Sequence, residues 1–297
     1  MYHNSSIGAC WLDVCRRGVG ARCDQAISAE ERFRENQTKK EVAMTNNPIE
    51  NPKVVSQAEW LEARKKLLAK EKEHTRRGDE INAERRALPW VKVEREYVFD
   101  APGGKETLSD LFGDRNQLVI THFMLGPDWE EGCKGCSFGA DHLNGVLVHL
   151  EQHDVAIVAV SRSPLPKIEA FKKRMGWRFK WVSSFGTDFN YDFHVSFTQE
   201  ELAKGKIYYN YDWRDGEIDE LAGNSVFCKD QTGAVYHTYS RYARGGEPGL
   251  TVYSFLDMLP KGREEYGPTY SMMDWLRHHD RYDVPTRGIA EEVGATS

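Results

Sequence analysis

Two long apolar runs stand out in the pattern of hydrophobic and polar residues along the chain. Residues 117–125 read QLVITHFML and residues 155–160 read VAIVAV, and such runs are typical of parallel strands that are buried on both faces. Apolar residues recur at helical spacing over 138–152 and again over 166–175. The order strand, helix, strand, helix predicts a right-handed βαβ unit with a parallel sheet.

Shorter alternating segments on either side of this unit predict two antiparallel hairpins. The first joins residues 97–100 to 106–108 through a Pro-Gly-Gly turn, and the second joins 224–229 to 234–239 through Asp-Gln-Thr-Gly. Turn residues of these types between two strand-like segments favour a hairpin. The antiparallel strands are therefore expected to extend the parallel unit.

Helices are predicted near both ends of the chain. Ser56-Gln57-Ala58-Glu59 has the form of a capping box, so a long charged helix is expected from there to about Arg86. Its apolar residues recur at multiples of seven, and this stripe could pack on the rest of the chain or on a second copy. A homo-oligomer through this helix is one expectation. Two further helices, over 250–259 and 269–279, are expected to cover a face of the domain.

The two ends of the chain read differently from its middle. Residues 1–43 hold three of the six cysteines and lack the apolar core of about 7–15 residues that a secretory signal needs. We interpret 1–43 as a non-native or disordered leader, with Met44 as the true start. Residues 44–90 are then an N-terminal helical arm, 91–282 the folded domain with its C-terminal helices, and 283–297 a loose tail.

Composition narrows the function classes. The 297 residues are 40% hydrophobic and 29% charged, as in ordinary globular proteins. A formal net charge of −6 argues against a protein that coats nucleic acid. No apolar run reaches the roughly 20 residues of a membrane span. Because of this charge and the lack of a membrane span, neither nucleic acid nor a membrane is an expected partner. The six cysteines are too scattered for a disulfide framework.

The sharpest chemical feature is Cys133-Lys134-Gly135-Cys136, a CxxC pair between the strand 117–125 and the helix that follows it. Functional groups collect beyond the carboxyl ends of strands in open α/β sheets. A helix N-terminus stabilises a thiolate through its free N–H groups and partial positive charge. We expect Cys133 to attack a disulfide and Cys136, one turn later, to resolve the mixed disulfide.

Residues beside the pair bear on its reactivity. Lys134 should lower the pKa of the first thiol, whereas Glu130 and Glu131 should raise it, and the sequence leaves this balance open. Trp129 is close enough in sequence to line a substrate groove, although packing in the core is an equal alternative.

Other interpretations of the cysteines have weaker support. A zinc site needs four ligands, and the spare candidates are Cys228, His122 and His142, with no second CxxC. Covalent haem needs a His directly after the second Cys, where Ser137 stands. We interpret Cys228 as a small buried residue of a strand. His122 is interpreted as a core histidine, with a general base as the alternative.

The order of these elements resembles the thioredoxin-like fold of peroxiredoxins and thiol reductases. Residues 48–282 resemble more specifically the bacterial domain-of-unknown-function family 899, which is described as predicted dithiol–disulfide oxidoreductases. The segments that carry the resemblance are 126–139 (GPDWEEGCKGCSFG), 239–246 (YSRYARGG) and 256–265 (LDMLPKGREE). The resemblance implies an α/β, thioredoxin-like three-layer sandwich with an N-terminal helical arm and extra C-terminal helices.

Two departures from the related patterns bear on the site. Thioredoxins usually carry a cis-proline opposite the CxxC, and here Gly223-Asn224-Ser225 occupies that place. We expect trans peptides there, because a cis bond before a non-proline residue costs about 2.5–4 kcal/mol. Asn224 and Ser225 are candidate substrate contacts, together with Trp129 and Lys134. The Pro and Thr that precede a peroxidatic cysteine are absent, since Glu130 stands three residues before Cys133.

The leading hypothesis is a cytoplasmic thiol–disulfide oxidoreductase with Cys133 and Cys136 as its catalytic residues. A protein or small-molecule disulfide is the expected substrate and an external thiol the reductant, with no cofactor or metal. A thiol peroxidase that uses Cys133 is the first alternative. The second is a non-enzymatic binding module that uses the N-terminal helix and the aromatic segment 206–213.

Overall fold

The computed structural model describes residues 52–265, 268–269 and 271–282. The predicted leader, 1–43, and the predicted tail, 283–297, lie outside these residues. The strands in chain order are β1 (Val91–Lys92), β2 (Val98–Ala101), β3 (Gly104–Thr107), β4 (Gln117–His122), β5 (Val155–Ser161), β6 (Lys180–Ser183), β7 (Lys206–Tyr209), β8 (Asp212–Asp215), β9 (Gly223–Lys229) and β10 (Val235–Tyr242). The α-helices are α1 (Gln57–Arg86), α2 (Lys134–Glu151), α3 (Leu165–Arg174), α4 (Phe189–Asp192), α5 (Gln199–Ala203) and α6 (Thr251–Leu256).

An eight-stranded sheet forms the middle of the fold, in the order β1-β10-β9-β4-β5-β6-β2-β3. The strands β4, β5 and β6 run parallel, with Leu118 opposite Ala156 and Val160 opposite Val182. The predicted βαβ unit is therefore confirmed. Both predicted hairpins are confirmed as well, because β2 pairs antiparallel with β3 and β9 pairs antiparallel with β10. The second hairpin joins the parallel unit where β9 pairs with β4.

The sheet is covered on both faces, because successive residues of its central strands point to opposite sides. One face packs Leu118 and Ile120 against Phe189 of α4. The other face packs against α2 and α3 through Ala140 and Ile168. The thioredoxin-like three-layer arrangement is thus confirmed, with short helical segments as one of the outer layers.

The helix α1 forms the expected N-terminal arm and ends at the expected residue. Its capping box is present: Ser56 Oγ accepts a hydrogen bond from the Glu59 N–H at 3.3 Å, and the Glu59 carboxylate accepts one from the Ser56 N–H at 3.0 Å. No residue of α1 is buried, and its apolar stripe is exposed from Trp60 to Leu88. Oligomerisation through this stripe stays a prediction. None of the described helices is both long enough and apolar enough to cross a membrane.

The C-terminal region is less helical than the sequence predicts. The first expected helix is present as α6, but the described residues of 269–279 form only 3-10 turns instead of the second. The Asp274 carboxylate accepts hydrogen bonds from the N–H groups of Thr269 and Ser271 and completes a capping box, so the first helical turn begins only at Met272. A continuous helix is interrupted at His278, whose backbone is extended with ψ of 142°. The segment still covers a face, because Leu276 is fully buried beside Phe138 of α2.

Replacing Ile120 by alanine should lower the free energy of unfolding by about 2–5 kcal/mol, because it removes methylenes from the middle of the core. Ile120 is 0% exposed, whereas Val148 on α2 is 58% exposed. Val148→Ala is therefore the matched control, and we expect it to change stability by at most about 0.5 kcal/mol. Urea unfolding followed by circular dichroism measures both variants, and equal losses would contradict this assignment of core and surface.

Candidate functional site

The predicted dithiol lies directly beyond the carboxyl end of β4. Cys133 is the N-cap residue of α2 and Cys136 lies in the first turn, so the helix begins three residues before the start near Ser137 that the sequence indicates. The Cys133 N–H donates to the Met124 carbonyl at 3.0 Å, and the Met124 N–H donates to Cys136 Sγ at 3.4 Å. One residue of the chain leaving β4 therefore holds both cysteines.

Both thiols are almost buried, with Cys133 7% and Cys136 8% exposed. A hydrogen bond from the Cys136 side chain lowers the pKa of the Cys133 thiol below its ordinary value, and burial opposes this. The backbone N–H groups of Cys136 and Gly135 and the charge of Lys134 add to the lowering. The balance that the sequence leaves open is thus resolved in favour of a lowered pKa for Cys133.

The loop before the dithiol is tied to α3. The Lys167 ammonium group donates to the carbonyl of Trp129 at 2.9 Å. Glu131 forms ion pairs with Arg174 and with Arg281, both at 2.8 Å. Its negative charge is therefore largely compensated, which explains why it does not keep the Cys133 pKa high. The Trp129 side chain is half-buried and packs against the cluster of core residues that includes both cysteines.

A segment from the far end of the chain covers this loop. His278 is buried, and its Nε2 lies 2.9 Å from the carbonyl oxygen of Gly132. Arg174 of α3 also pairs with Asp280 at 2.8 Å. A Cβ at Gly132 would lie 2.6 Å from the Phe123 ring, so only glycine fits at this position. The contacts of His278 and Asp280 join residues more than 100 positions apart, and no local pattern in the sequence indicates them.

A cavity of about 700 Å³ opens beside Cys136. Its floor contains three residues that are direct neighbours across adjacent strands, Thr121 of β4, Asn224 of β9 and Arg241 of β10. Asn224 Nδ2 donates to Thr121 Oγ1 at 3.1 Å, and Arg241 Nε donates to Asn224 Oδ1 at 3.1 Å. The structure therefore brings the candidate residue Asn224 into one cavity with Cys136. We call this row of three residues the polar ladder.

The other candidate contact, Ser225, is not brought to this cavity. Its side chain is buried, with Oγ 2.9 Å from His122 Nε2 and 2.8 Å from Ser240 Oγ. The His122 ring packs against Phe189 and Phe193. Burial lowers the pKa of His122 to about 3, so the imidazole is neutral at physiological pH. These contacts support a core histidine rather than a general base.

Cys228 is far from the dithiol. It pairs with Gln117, the first residue of β4, whereas the dithiol follows the last residue of that strand. Five residues of strand separate the two ends, which is about 17 Å. Burial raises the pKa of the Cys228 thiol, so it is neither near nor reactive enough to be a third redox partner. Within the described ranges, no group of three or more His, Cys, Asp or Glu side chains could hold a metal ion.

Comparisons with known proteins give one match over most of the chain and several over about half of it. The family model described as "Bacterial protein of unknown function (DUF899)" matches residues 49–282. No curated protein matches the chain significantly. Among solved structures, peroxidoxin BcpB from Mycobacterium tuberculosis is similar with 13% identity and a TM-score of 0.38, covering 55% of this chain and 93% of that chain. Peroxiredoxin Q of Xanthomonas campestris has 16% identity and a TM-score of 0.33, covering 52% and 87%. The mitochondrial 2-cys peroxiredoxin from Plasmodium falciparum has 14% identity and a TM-score of 0.34, covering 57% and 94%.

Replacing Cys136 by alanine should raise the pKa of Cys133, because it removes the hydrogen bond that contributes most to the lowering. Cys136→Ser keeps a hydroxyl donor and should raise it less, and Lys134→Ala should also raise it by a smaller amount. Alkylation of each cysteine as a function of pH, resolved by peptide mass spectrometry, measures all three variants. Cys228 is the internal reference, since burial raises its pKa. An unchanged Cys133 titration in Cys136→Ala would contradict this account.

Proposed function

Because this chain belongs to the DUF899 family of bacterial proteins of unknown function, we propose its function from the chemistry of the site: a thiol–disulfide oxidoreductase. Cys133 and Cys136 cycle between dithiol and disulfide. The observation that carries the proposal is the pair of thiols at the N-terminus of α2, where a hydrogen bond from Cys136 lowers the pKa of Cys133. A thiolate, not a thiol, is the attacking species in disulfide exchange.

The reaction takes place in two exchanges. The Cys133 thiolate attacks one sulfur of a substrate disulfide, so that a mixed disulfide forms and the first substrate thiolate leaves and takes up a proton. The Cys136 thiol loses its proton, and its thiolate attacks Cys133 Sγ, which forms the Cys133–Cys136 disulfide and expels the second substrate thiolate, which takes up a proton from solvent. Two electrons pass from the dithiol to the substrate. An external dithiol reductant returns them and restores both thiols.

The geometry supports a short path between the two steps. The thiols are hydrogen-bonded to each other, so the resolving sulfur is already beside the attacked one. The first turn of α2 is fixed by the bond from the Ser137 N–H to the Cys133 carbonyl at 2.9 Å. Because this turn is preformed, closing the disulfide needs only side-chain rotation toward the bonding distance of about 2.05 Å.

The near-complete burial of both sulfurs favours a small disulfide as substrate. Exchange requires the three sulfurs to lie almost in line, so a bulky protein surface would have to displace the loop and the covering segment. A small disulfide can enter through the cavity beside Cys136 instead. We therefore propose small-molecule disulfides ahead of folded proteins among the substrates.

Thiol peroxidation is the second candidate, because a thiolate at Cys133 would also attack a hydroperoxide. That reaction would give a Cys133 sulfenic acid and an alcohol, and condensation with the Cys136 thiol would give the same disulfide and water. It needs a protonated leaving oxygen at the site. Glu130, three residues before Cys133, offers a negative charge there rather than a hydroxyl donor, so disulfide exchange is the preferred assignment.

Single-turnover experiments on the pre-reduced chain separate the roles of the two cysteines. All proteins carry serine at Cys10, Cys15 and Cys23 so that only the described thiols react. With bis(2-hydroxyethyl) disulfide, the parent should release two thiols per chain and end as the internal disulfide. Cys136→Ser should release one thiol and retain a mixed disulfide that mass spectrometry detects, whereas Cys133→Ser should release none.

Cys228→Ser is the matched control and should behave as the parent. Cys228 pairs with Gln117 at the start of β4, whereas the dithiol lies beyond the end of that strand. Full activity in Cys133→Ser would overturn the role assignment. Faster consumption of hydroperoxide than of disulfide would favour the peroxidase. Inert thiols together with a stable protein complex would favour a binding module.

A further inference from the structure

One arginine in the cavity has no carboxylate partner in the part of the chain that the structure describes. Arg241 is half-buried, and its Nε donates to Asn224 at 3.1 Å. Within residues 52–265, 268–269 and 271–282, no Asp or Glu lies within ion-pair distance of its guanidinium. Arg244, the other arginine of the cavity wall, is paired with Glu247 at 2.6 Å. An arginine carries five N–H donors, so the bond to Asn224 leaves most of the capacity of Arg241 unused.

The carboxylates of the cavity wall are already engaged. Glu247 is shared between Arg244 and Arg263, with the second pair at 3.1 Å. Glu265 accepts a hydrogen bond from the Tyr253 hydroxyl at 2.6 Å. Neither carboxylate takes up the charge of Arg241. Among the described residues, the guanidinium of Arg241 therefore has no carboxylate in contact with it, although it lines the same cavity as Glu247 and Glu265.

Arg241 is held in a fixed position. The polar ladder fixes Nε, and the 3-10 turn Ala243–Gly249 lies against the side chain, since a Cβ at Gly249 would lie 3.5 Å from Arg241 Nη2. Burial lowers the pKa of this guanidinium, although it stays protonated at physiological pH. Burial of an uncompensated charge is unfavourable, and a bound anion would offset that cost.

The same cavity reaches the dithiol. Two strand spacings of about 4.8 Å separate β10, which carries Arg241, from β4. Cys136 lines the wall, and the hydrogen bond between the thiols keeps Cys133 beside it. The strand that carries Arg241 therefore lies about 10 Å from β4, the strand that leads to the dithiol. Arg241 and Cys136 line one cavity, so a small molecule that carries an anionic group a few bonds from a disulfide can contact both.

We propose that this cavity binds small disulfides that carry a carboxylate or another anionic group, with Arg241 as the anion-binding residue. The inference rests on the proposed oxidoreductase function and names the substrate class of the same dithiol. Asn224 orients the guanidinium, and the substrate disulfide lies against Cys136 and Cys133. The two exchanges then proceed as above, and each releases one anionic thiol.

Three disulfides that differ in their terminal group test the proposal: 3,3′-dithiodipropionate (anionic), bis(2-hydroxyethyl) disulfide (neutral) and cystamine (cationic). Second-order rate constants of the pre-reduced chain are divided by the rate constants of dithiothreitol with the same disulfides, which removes differences in intrinsic reactivity. The anionic disulfide should react about tenfold faster than the neutral one, the range expected for a charge-assisted hydrogen bond. Cystamine should react slowest. The net charge of −6 repels anions, so this order cannot arise from the overall charge.

Variants of Arg241 assign the preference to this residue. Arg241→Gln should bring the ratio of anionic to neutral rate constants to about one, and Arg241→Lys should retain part of it because the charge remains. Arg178→Gln, an exposed site outside the cavity, is the matched control for the loss of one positive charge and should keep the ratio of the parent. If Arg241→Gln fails to fold, the rates of the parent with the three disulfides and the rates of Arg241→Lys still test the proposal.

Equal normalised rates for the three disulfides, or an unchanged ratio in Arg241→Gln, would overturn the inference and leave the oxidoreductase proposal intact. No reaction with any of the three disulfides would instead contradict the proposed oxidoreductase function and, with it, the proposed preference for anionic disulfides.

Discussion

The bonds of Met124 to both cysteines are the contact on which the rest of the site depends. Its carbonyl accepts from the Cys133 N–H and its N–H donates to Cys136 Sγ. These bonds attach the start of α2 to the chain that leaves β4, so the free N–H groups of a helix N-terminus lie beside both sulfurs. The central strand has apolar neighbours on both sides and cannot shift easily. The thiols are therefore anchored to the sheet although they lie at the start of a helix beyond its edge.

Burial and reactivity oppose each other at this site. Nearly full burial of a thiol penalises the thiolate, yet the pKa of Cys133 is lowered. The lowering is achieved by hydrogen bonds from Cys136 and from backbone N–H groups, with the Lys134 charge as a smaller contribution. It also requires that nearby negative charge be compensated, which Arg174 and Arg281 do for Glu131. The covering C-terminal segment thus contributes to the electrostatics as well as to the enclosure.

The parts of the fold and site that could be predicted from the sequence depend on local signals. Two apolar runs predict β4 and β5, and the spacing of Cys133 and Cys136 predicts the dithiol and its position. The prediction of a second C-terminal helix was wrong, because the extended backbone at His278 interrupts the segment and only 3-10 turns form on either side of it. The contact between His278 and Gly132 bridges 146 residues, and its formation depends on packing that no short segment encodes.

The alternation of side chains along β9 explains why Asn224 and Ser225 lie in different surroundings. Adjacent residues of a strand point to opposite faces, so Ser225 joins His122 in the core while Asn224 joins Arg241 at the cavity. Apolar residues in the ladder would pack the sheet against α2 at least as well as buried polar groups do, since buried charges seldom add net stability. Stability alone does not account for an arginine there, with no carboxylate partner among the described residues, and the proposed anionic disulfide would supply the missing partner.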